Sequence, residues 1–135
     1  MTNLLDNELC YVCGGKNPVG LAVDFEINWE ARTIEAKFVP SESHQGYAGI
    51  VHGGVLSALL DEAMAKLASS LGGSPAVTAE ITVKFRAPSA PGDELLVSGR
   101  LTDEGKRLVL AEARVTRGPI AIAEAKGKLL RTDSG

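Results

Sequence analysis

The sequence predicts an α+β domain in which an antiparallel β-sheet wraps around one long central α-helix. Three observations carry this expectation. One stretch places apolar residues at helical spacing over about five turns. The stretches before and after it alternate apolar and polar residues with period two. The connections between the alternating stretches are short and rich in Gly, Pro, Asp and Asn, which suits turns rather than further helices. The 135 residues suit one domain, taken as residues 1–135.

The elements follow in order. Leu21, Val23, Phe25 and Ile27 alternate with Ala22, Asp24 and Glu26, a strand pattern, and Asn28-Trp29-Glu30-Ala31 turns the chain. Ile34, Ala36 and Phe38 form a second strand, ended by Pro40 and Ser41. Residues 40–51 are irregular. The helix begins near Gly53 or Gly54 and stops at Gly72-Gly73. Its stripe is Leu56, Leu59, Leu60, Ala63, Met64, Leu67 and Ala68.

After Pro75 the period returns to two. Ala79, Ile81, Val83 and Phe85 alternate with Glu80, Thr82 and Lys84, and Ala87-Pro88-Ser89-Ala90-Pro91-Gly92 breaks the chain. Leu95, Val97 and Leu101 mark the next strand, and Asp103-Glu104-Gly105-Lys106 a hairpin turn. Val109, Ala111, Ala113 and Val115 follow, then the turn Arg117-Gly118-Pro119, then Ala121, Ala123, Ala125 and Gly127. Successive strands joined this way are expected to form an antiparallel meander. The Ala and Gly rows of the last two strands leave room for the helix to lie close.

Composition narrows the partners. The net charge is −3 and Lys and Arg are scattered, so a nucleic-acid partner is not expected. No apolar run approaches the roughly 20 residues of a membrane span, so no membrane partner is expected. The opening residues lack the basic and apolar regions of a signal peptide, which points to a cytoplasmic protein. Cys10 and Cys13 are the only cysteines, and His44 and His52 the only histidines. A zinc site needs four ligands and no second Cys pair is present, so no metal is expected. The favoured reading is a reduced pair shaping an N-terminal loop; a metal shared between subunits and a redox pair are the alternatives.

The chemistry concentrates in Gly49-Ile50-Val51-His52-Gly53-Gly54, followed by Asp61 in the helix. A helix start exposes unpaired N–H groups and a partial positive charge, and glycine lets a ligand oxygen approach them. That arrangement suits the oxyanion of an acyl transfer. Asp61, two turns on, points roughly 120° away from the stripe centre. A carboxylate there activates water as a general base or attacks a carbonyl directly. The expectation is that the helix-start amides and Asp61 face one small cavity. Taken singly, a helical Asp off the apolar face is usually solvated, a Gly-Gly before a helix is often only a turn, and a lone His is usually structural. The three in order point to a site.

His-Gly-Gly, an amphipathic helix with Asp on its second turn, and a following Thr78-x-x-x-x-Val83-x-Phe85-x-x-Pro88 strand resemble the hotdog-fold thioesterases. The branch most resembled is that of the PaaI-like acyl-CoA thioesterases. Cys10-Tyr11-Val12-Cys13-Gly14 with Asn17-Pro18-Val19-Gly20-Leu21 adds to the likeness, which runs from about Cys10 to Leu130. It implies hydrolysis of an acyl-CoA without a cofactor. Asp61 corresponds to the catalytic carboxylate, Gly53 with Gly54 to the oxyanion donors, and His52 to a residue that orients or polarises the thioester carbonyl. Gln45 and Val51 flank that turn on the substrate side. Thr78 corresponds to a position lining the site from the partner subunit. The family's homodimers and homotetramers carry their sites at the dimer interface, where Lys84 or Arg86 would meet the phosphates of coenzyme A. The plain alternative for these two is a pair of exposed strand cations.

Two positions depart from the family pattern. Gly46 stands where some relatives have Gln or Asn, and Ala65 where some have a water-holding hydroxyl. Gln45 or His44 is the expected substitute for the first. Two other readings stand beside hydrolysis: an acyl-CoA binder or sensor without catalysis, and a dehydratase or hydratase acting on acyl thioesters.

Overall fold

A computed structural model describes residues 7–132. The described elements are β1 (Glu26–Asn28), β2 (Thr33–Phe38), a 3-10 turn (Glu42–His44), α1 (Gly53–Gly72), β3 (Ala76–Phe85), β4 (Leu95–Glu104), β5 (Leu108–Arg117) and β6 (Ile120–Arg131). The helix has the predicted ends. His52 is its N-cap, and Gly73 closes it at φ +67°, the left-handed conformation that glycine adopts without a Cβ penalty. Its buried residues are Leu56, Leu59, Leu60, Ala63, Met64, Leu67 and Ala68, which is the stripe read from the sequence.

All strands pair antiparallel in one six-stranded sheet of order β1-β2-β4-β5-β6-β3. The inward row of β5, Val109, Ala111, Ala113 and Val115, is buried against the helix side. Gly127 on β6 lets α1 come close: a Cβ there would sit 3.0 Å from Met64 Sδ and Cε. Small residues thus set the distance between helix and sheet, as packing at crystal-like density requires.

The expected meander holds only for β4-β5-β6. β3 pairs with β6 and not with β4, so it forms the far edge of the sheet. The connection with Pro88 and Pro91 is long enough to carry the chain across from that edge. Pairing across the sheet is a long-range choice that a local pattern does not encode. The first strand is also shorter than predicted. Ala22 has φ +53°, which interrupts extension, and the Leu21 and Val23 amides donate to Tyr11 O and Val12 O instead of a strand. Leu21, Val23 and Phe25 are nevertheless buried in the core.

β3 carries a bulge between Thr78 and Glu80. A bulge turns one side chain to the opposite face. Without it, Thr78 would face away from Ile81 and Val83. With it, Thr78 points to the helix side, where Ile81 and Val83 pack on the core.

Candidate active site

The helix start is organised by His52. Its backbone is extended (φ −61°, ψ 132°), and its Nδ1 accepts the Gly54 N–H at 2.8 Å. A Cβ on Gly54 would lie 2.8 Å from that nitrogen, so the cap and the glycine require each other. The His52 carbonyl accepts from Val55 N (3.0 Å) and Leu56 N (3.3 Å). Of the first helical amides, Gly53 N–H alone has no acceptor among the described residues. The sequence reading gave Gly53 and Gly54 the same task. The structure gives Gly54 N–H to the cap and leaves Gly53 N–H without an acceptor among the described residues, with the Phe85 ring 3.3 Å from where a Cβ at Gly53 would lie.

The preceding loop holds this turn in place. The His52 N–H donates to His44 O at 2.8 Å and Val51 N–H to Ser89 O at 2.8 Å. Val51 is buried and bridges to Gln45. Gln45 Oε1 accepts from Gly49 N–H at 2.6 Å and its Nε2 donates to Glu42 O at 2.9 Å. His44 Nδ1 accepts from Ser41 N–H at 2.9 Å. Gln45 therefore spends both polar side-chain atoms inside the loop, and His44 its Nδ1. Gly46 lies against His52, where a Cβ would be 3.2 Å from the ring. The Pro88-containing loop is fixed by Asp93, which accepts from Ala90 N–H at 2.8 Å and pairs with Arg117 at 2.9 Å. The Ala90 hydrogen bond, opposed by burial and reinforced by Arg117, holds the Asp93 carboxyl below its usual range.

Asp61 is half-buried, and its Oδ1 accepts a hydrogen bond from Thr78 Oγ1 at 2.6 Å. Thr78 thus meets Asp61 within one chain. It supplies a hydroxyl to the carboxylate in a protein that has Ala65 one turn on. One oxygen of Asp61 is held by this bond, and the other has no partner among the described residues.

One expectation does not survive the geometry of one chain. Gly53 and Asp61 lie eight residues apart on a helix rising 1.5 Å per residue, so about 12 Å separates them along the axis. A reacting carbonyl needs its donor and its attacking atom each within about 3–3.5 Å. The helix-start amide and Asp61 of one chain therefore do not converge on one carbonyl. Lys84 and Arg86 lie on the outer face of β3 with Glu80 and Thr82, and Arg86 pairs with Glu124 at 3.6 Å. That face holds a concavity of about 1220 Å³, and neither Asp61 nor His52 lines it. Asp61, through Thr78, and Gly53, through Phe85, instead lie along β3, the edge of the sheet.

Phe85 and Glu62 are further residues that the sequence reading left without a role. Phe85 stands in the quoted strand motif, and its place over Gly53 is tertiary. Glu62 meets both cysteines: Cys10 Sγ lies 3.4 Å from Oε1 and Cys13 Sγ 3.4 Å from Oε2. Burial, with the Glu62 carboxylate next, pushes the Cys13 thiol up to about 12.

One long helix cradled by an antiparallel sheet, with a capped glycine turn at its start and a carboxylate two turns in, defines the hotdog class. The chain belongs to the Thioesterase superfamily, whose profile matches residues 48–123. It is 26% identical over 89 residues to acyl-coenzyme A thioesterase 13 of Mus musculus, covering 64% of this chain and 63% of that protein. The match thus spans less than two thirds of that relative's length. The PaaI protein of the phenylacetic acid degradation operon of E. coli superposes with TM-score 0.74 at 22% identity, covering 83% of this chain and 80% of PaaI. A Streptococcus mutans protein solved bound to acetyl CoA gives TM-score 0.74 at 24% identity, covering 82% of this chain and 88% of that one. These structural likenesses show the shared fold. No helix among the described residues is long and apolar enough to cross a membrane.

Proposed function

We propose that this protein hydrolyses an acyl-CoA thioester at sites shared between two copies of the chain, in the manner of the PaaI-like branch. The observation that carries the reading is Asp61, held through one oxygen by Thr78 at the edge of the sheet, with the Gly53 amide free at the helix start.

The open edge supplies the second half of each site. β3 has ten residues and an unpaired side, with Val77 53% and Phe85 55% exposed. Long apolar edges pair with another chain. Along β3, Thr78 lies beside Asp61 and Phe85 beside Gly53. Antiparallel pairing of two β3 strands centred on Thr82, with Ala79 as the extra residue of the bulge, sets Thr78 opposite the partner's Phe85. The same pairing brings Asp61 toward Gly53 of the partner subunit. The separation that disables one chain is closed by two.

In such a site the thioester oxygen accepts from the Gly53 N–H of one protomer. Asp61 of the other removes a proton from water, whose oxygen bonds to the carbonyl carbon. The negative charge that develops on the carbonyl oxygen is held by the amide at the helix start. The C–S bond then breaks, the electron pair leaves on the thiolate of CoA, and the proton on Asp61 returns to solvent or thiolate. Direct attack by Asp61, giving a mixed anhydride that water cleaves, uses the same atoms. The thiolate is a good leaving group and needs no general acid. His52, bound to Gly54 N–H through Nδ1, positions the turn, and its ring edge orients the carbonyl. Arrival of CoA at the interface leaves Lys84 and Arg86 of either copy to meet its phosphates from the sheet's outer rim.

The test is a panel of acyl-CoAs with a thiol-reactive readout. Asp61→Asn keeps the shape and lowers kcat by about 10²–10⁴-fold, the usual worth of a general base. Undiminished turnover in that variant, with native circular dichroism, overturns the assignment. Tight acyl-CoA binding by the wild-type chain without thiol release establishes the binder instead.

A further inference from the structure

The turn Cys10-Tyr11-Val12-Cys13-Gly14 has features that the thioester chemistry does not use. The Cys13 N–H donates to Cys10 Sγ at 3.4 Å, and the Gly14 N–H donates to Cys10 O at 2.9 Å. A Cβ on Gly14 would collide with the backbone of Glu8 and Cys10, so the turn is built around that glycine. Both sulfurs are thereby turned to one side. Helix α1 delivers Glu62 to them, one oxygen to each sulfur at 3.4 Å. All three ligand atoms lie within 4.8 Å of one another, and all three residues are half-buried.

We propose that Cys10, Cys13 and Glu62 bind one zinc ion per chain, with water completing the tetrahedron. Bond lengths of about 2.3 Å to sulfur and about 2.0 Å to oxygen place neighbouring S and O ligands of a tetrahedron about 3.5 Å apart. The S···O distances of 3.4 Å already match that edge. The charge balances as well. Two thiolates and a carboxylate carry three negative charges, zinc carries two positive, and Lys66 Nζ lies 3.8 Å from Cys13 Sγ. A half-buried site needs that neutrality. Thiolate ligands select zinc over magnesium or calcium. The amide on Cys10 Sγ is the kind of outer hydrogen bond that orients a ligand and stabilises its charge.

The ion would clip the N-terminal turn to the helix across a long stretch of intervening chain, which a clip stabilises by limiting the unfolded state. Glu62 adjoins Asp61, so the clip also braces the helical turn that carries the carboxylate. The proposal does not rest on the hydrolytic reading.

The experiment uses the full chain, stripped with a chelator, and zinc chloride alone as the probe against a chromophoric competitor. The expected result is one zinc per chain bound at submicromolar Kd, with a raised thermal midpoint. Cobalt in place of zinc gives an intense thiolate-to-metal absorption band, which reports sulfur ligation. Cys13→Ser abolishes that band. Glu62→Gln, which keeps size and shape, weakens zinc by roughly tenfold or more, since loss of a supporting group alone costs that much. Absence of stoichiometric zinc binding overturns the proposal, as does a cobalt complex without the thiolate band. So does a folded Glu62→Gln variant that binds zinc as tightly as the wild type.

Discussion

A shared site makes a quantitative prediction that two defective chains restore each other. The first perturbation is Gly53→Pro. Proline at the first helical position keeps the helix, because its φ is already suitable and its missing N–H had no helical acceptor. His52, at φ −61° and ψ 132°, has the extended backbone that a residue before proline requires. The ring of Phe85 must give a few tenths of an ångström, since a Cβ at position 53 would lie 3.3 Å from it. The substitution therefore deletes one donor, which costs about 10²–10³-fold in kcat for an oxyanion hole. The second perturbation is Asp61→Asn. Each variant alone is almost inactive. Mixed in equal amounts and allowed to exchange subunits, half of the dimers are heterodimers. Each heterodimer has one site with Gly53 and Asp61 both intact and one with both lost. Activity should rise to about a quarter of the wild-type value, from about 1% or less for either variant alone. The assay is thiol release from the best acyl-CoA by the equilibrated mixture, with each variant alone as the control. If donor and carboxylate belonged to one chain, every site in the heterodimer would be defective. A mixture that stays at the level of the separate variants refutes the shared site.

Two further outcomes follow from the same geometry. Thr78→Val removes the hydroxyl that Asp61 accepts at 2.6 Å. A hydrogen bond to a charged group is worth about 1.5–3 kcal/mol, so kcat should fall roughly 10–100-fold with KM little changed, and Thr78→Ser should recover most of it. Gly54→Ala places a Cβ 2.8 Å from His52 Nδ1 and displaces the cap. Urea denaturation should show a loss of about 0.5–2 kcal/mol, the range for an N-cap, and His52→Asn, which keeps a cap acceptor, should lose less.

The sequence by itself determined the local structure. Helix α1 could be bounded and its buried face named because glycines mark both ends and apolar residues recur every three or four positions. The row of β5, and that of β6 from Ala123 on, were legible for the same reason; the register shift between Val115 and Thr116 that buries Ile122 in place of Ala121 was not. Asp61 and the His52-Gly53-Gly54 turn were candidates because their chemistry is carried by residue type and order.

What only the tertiary structure decided was everything that joins distant segments. β3 went to the sheet edge beside β6, although the pattern suggested a simple meander. A one-residue bulge, invisible in alternation, turned Thr78 onto Asp61. Gln45 and His44 were drawn into their own loop, and Lys84 and Arg86 onto the outer face. Glu62 met two cysteines more than forty residues away in sequence. Periodicity records which face of an element is buried, because that depends on each residue's own position along it. It does not record which elements become neighbours, because that choice depends on the energy of the whole packed assembly.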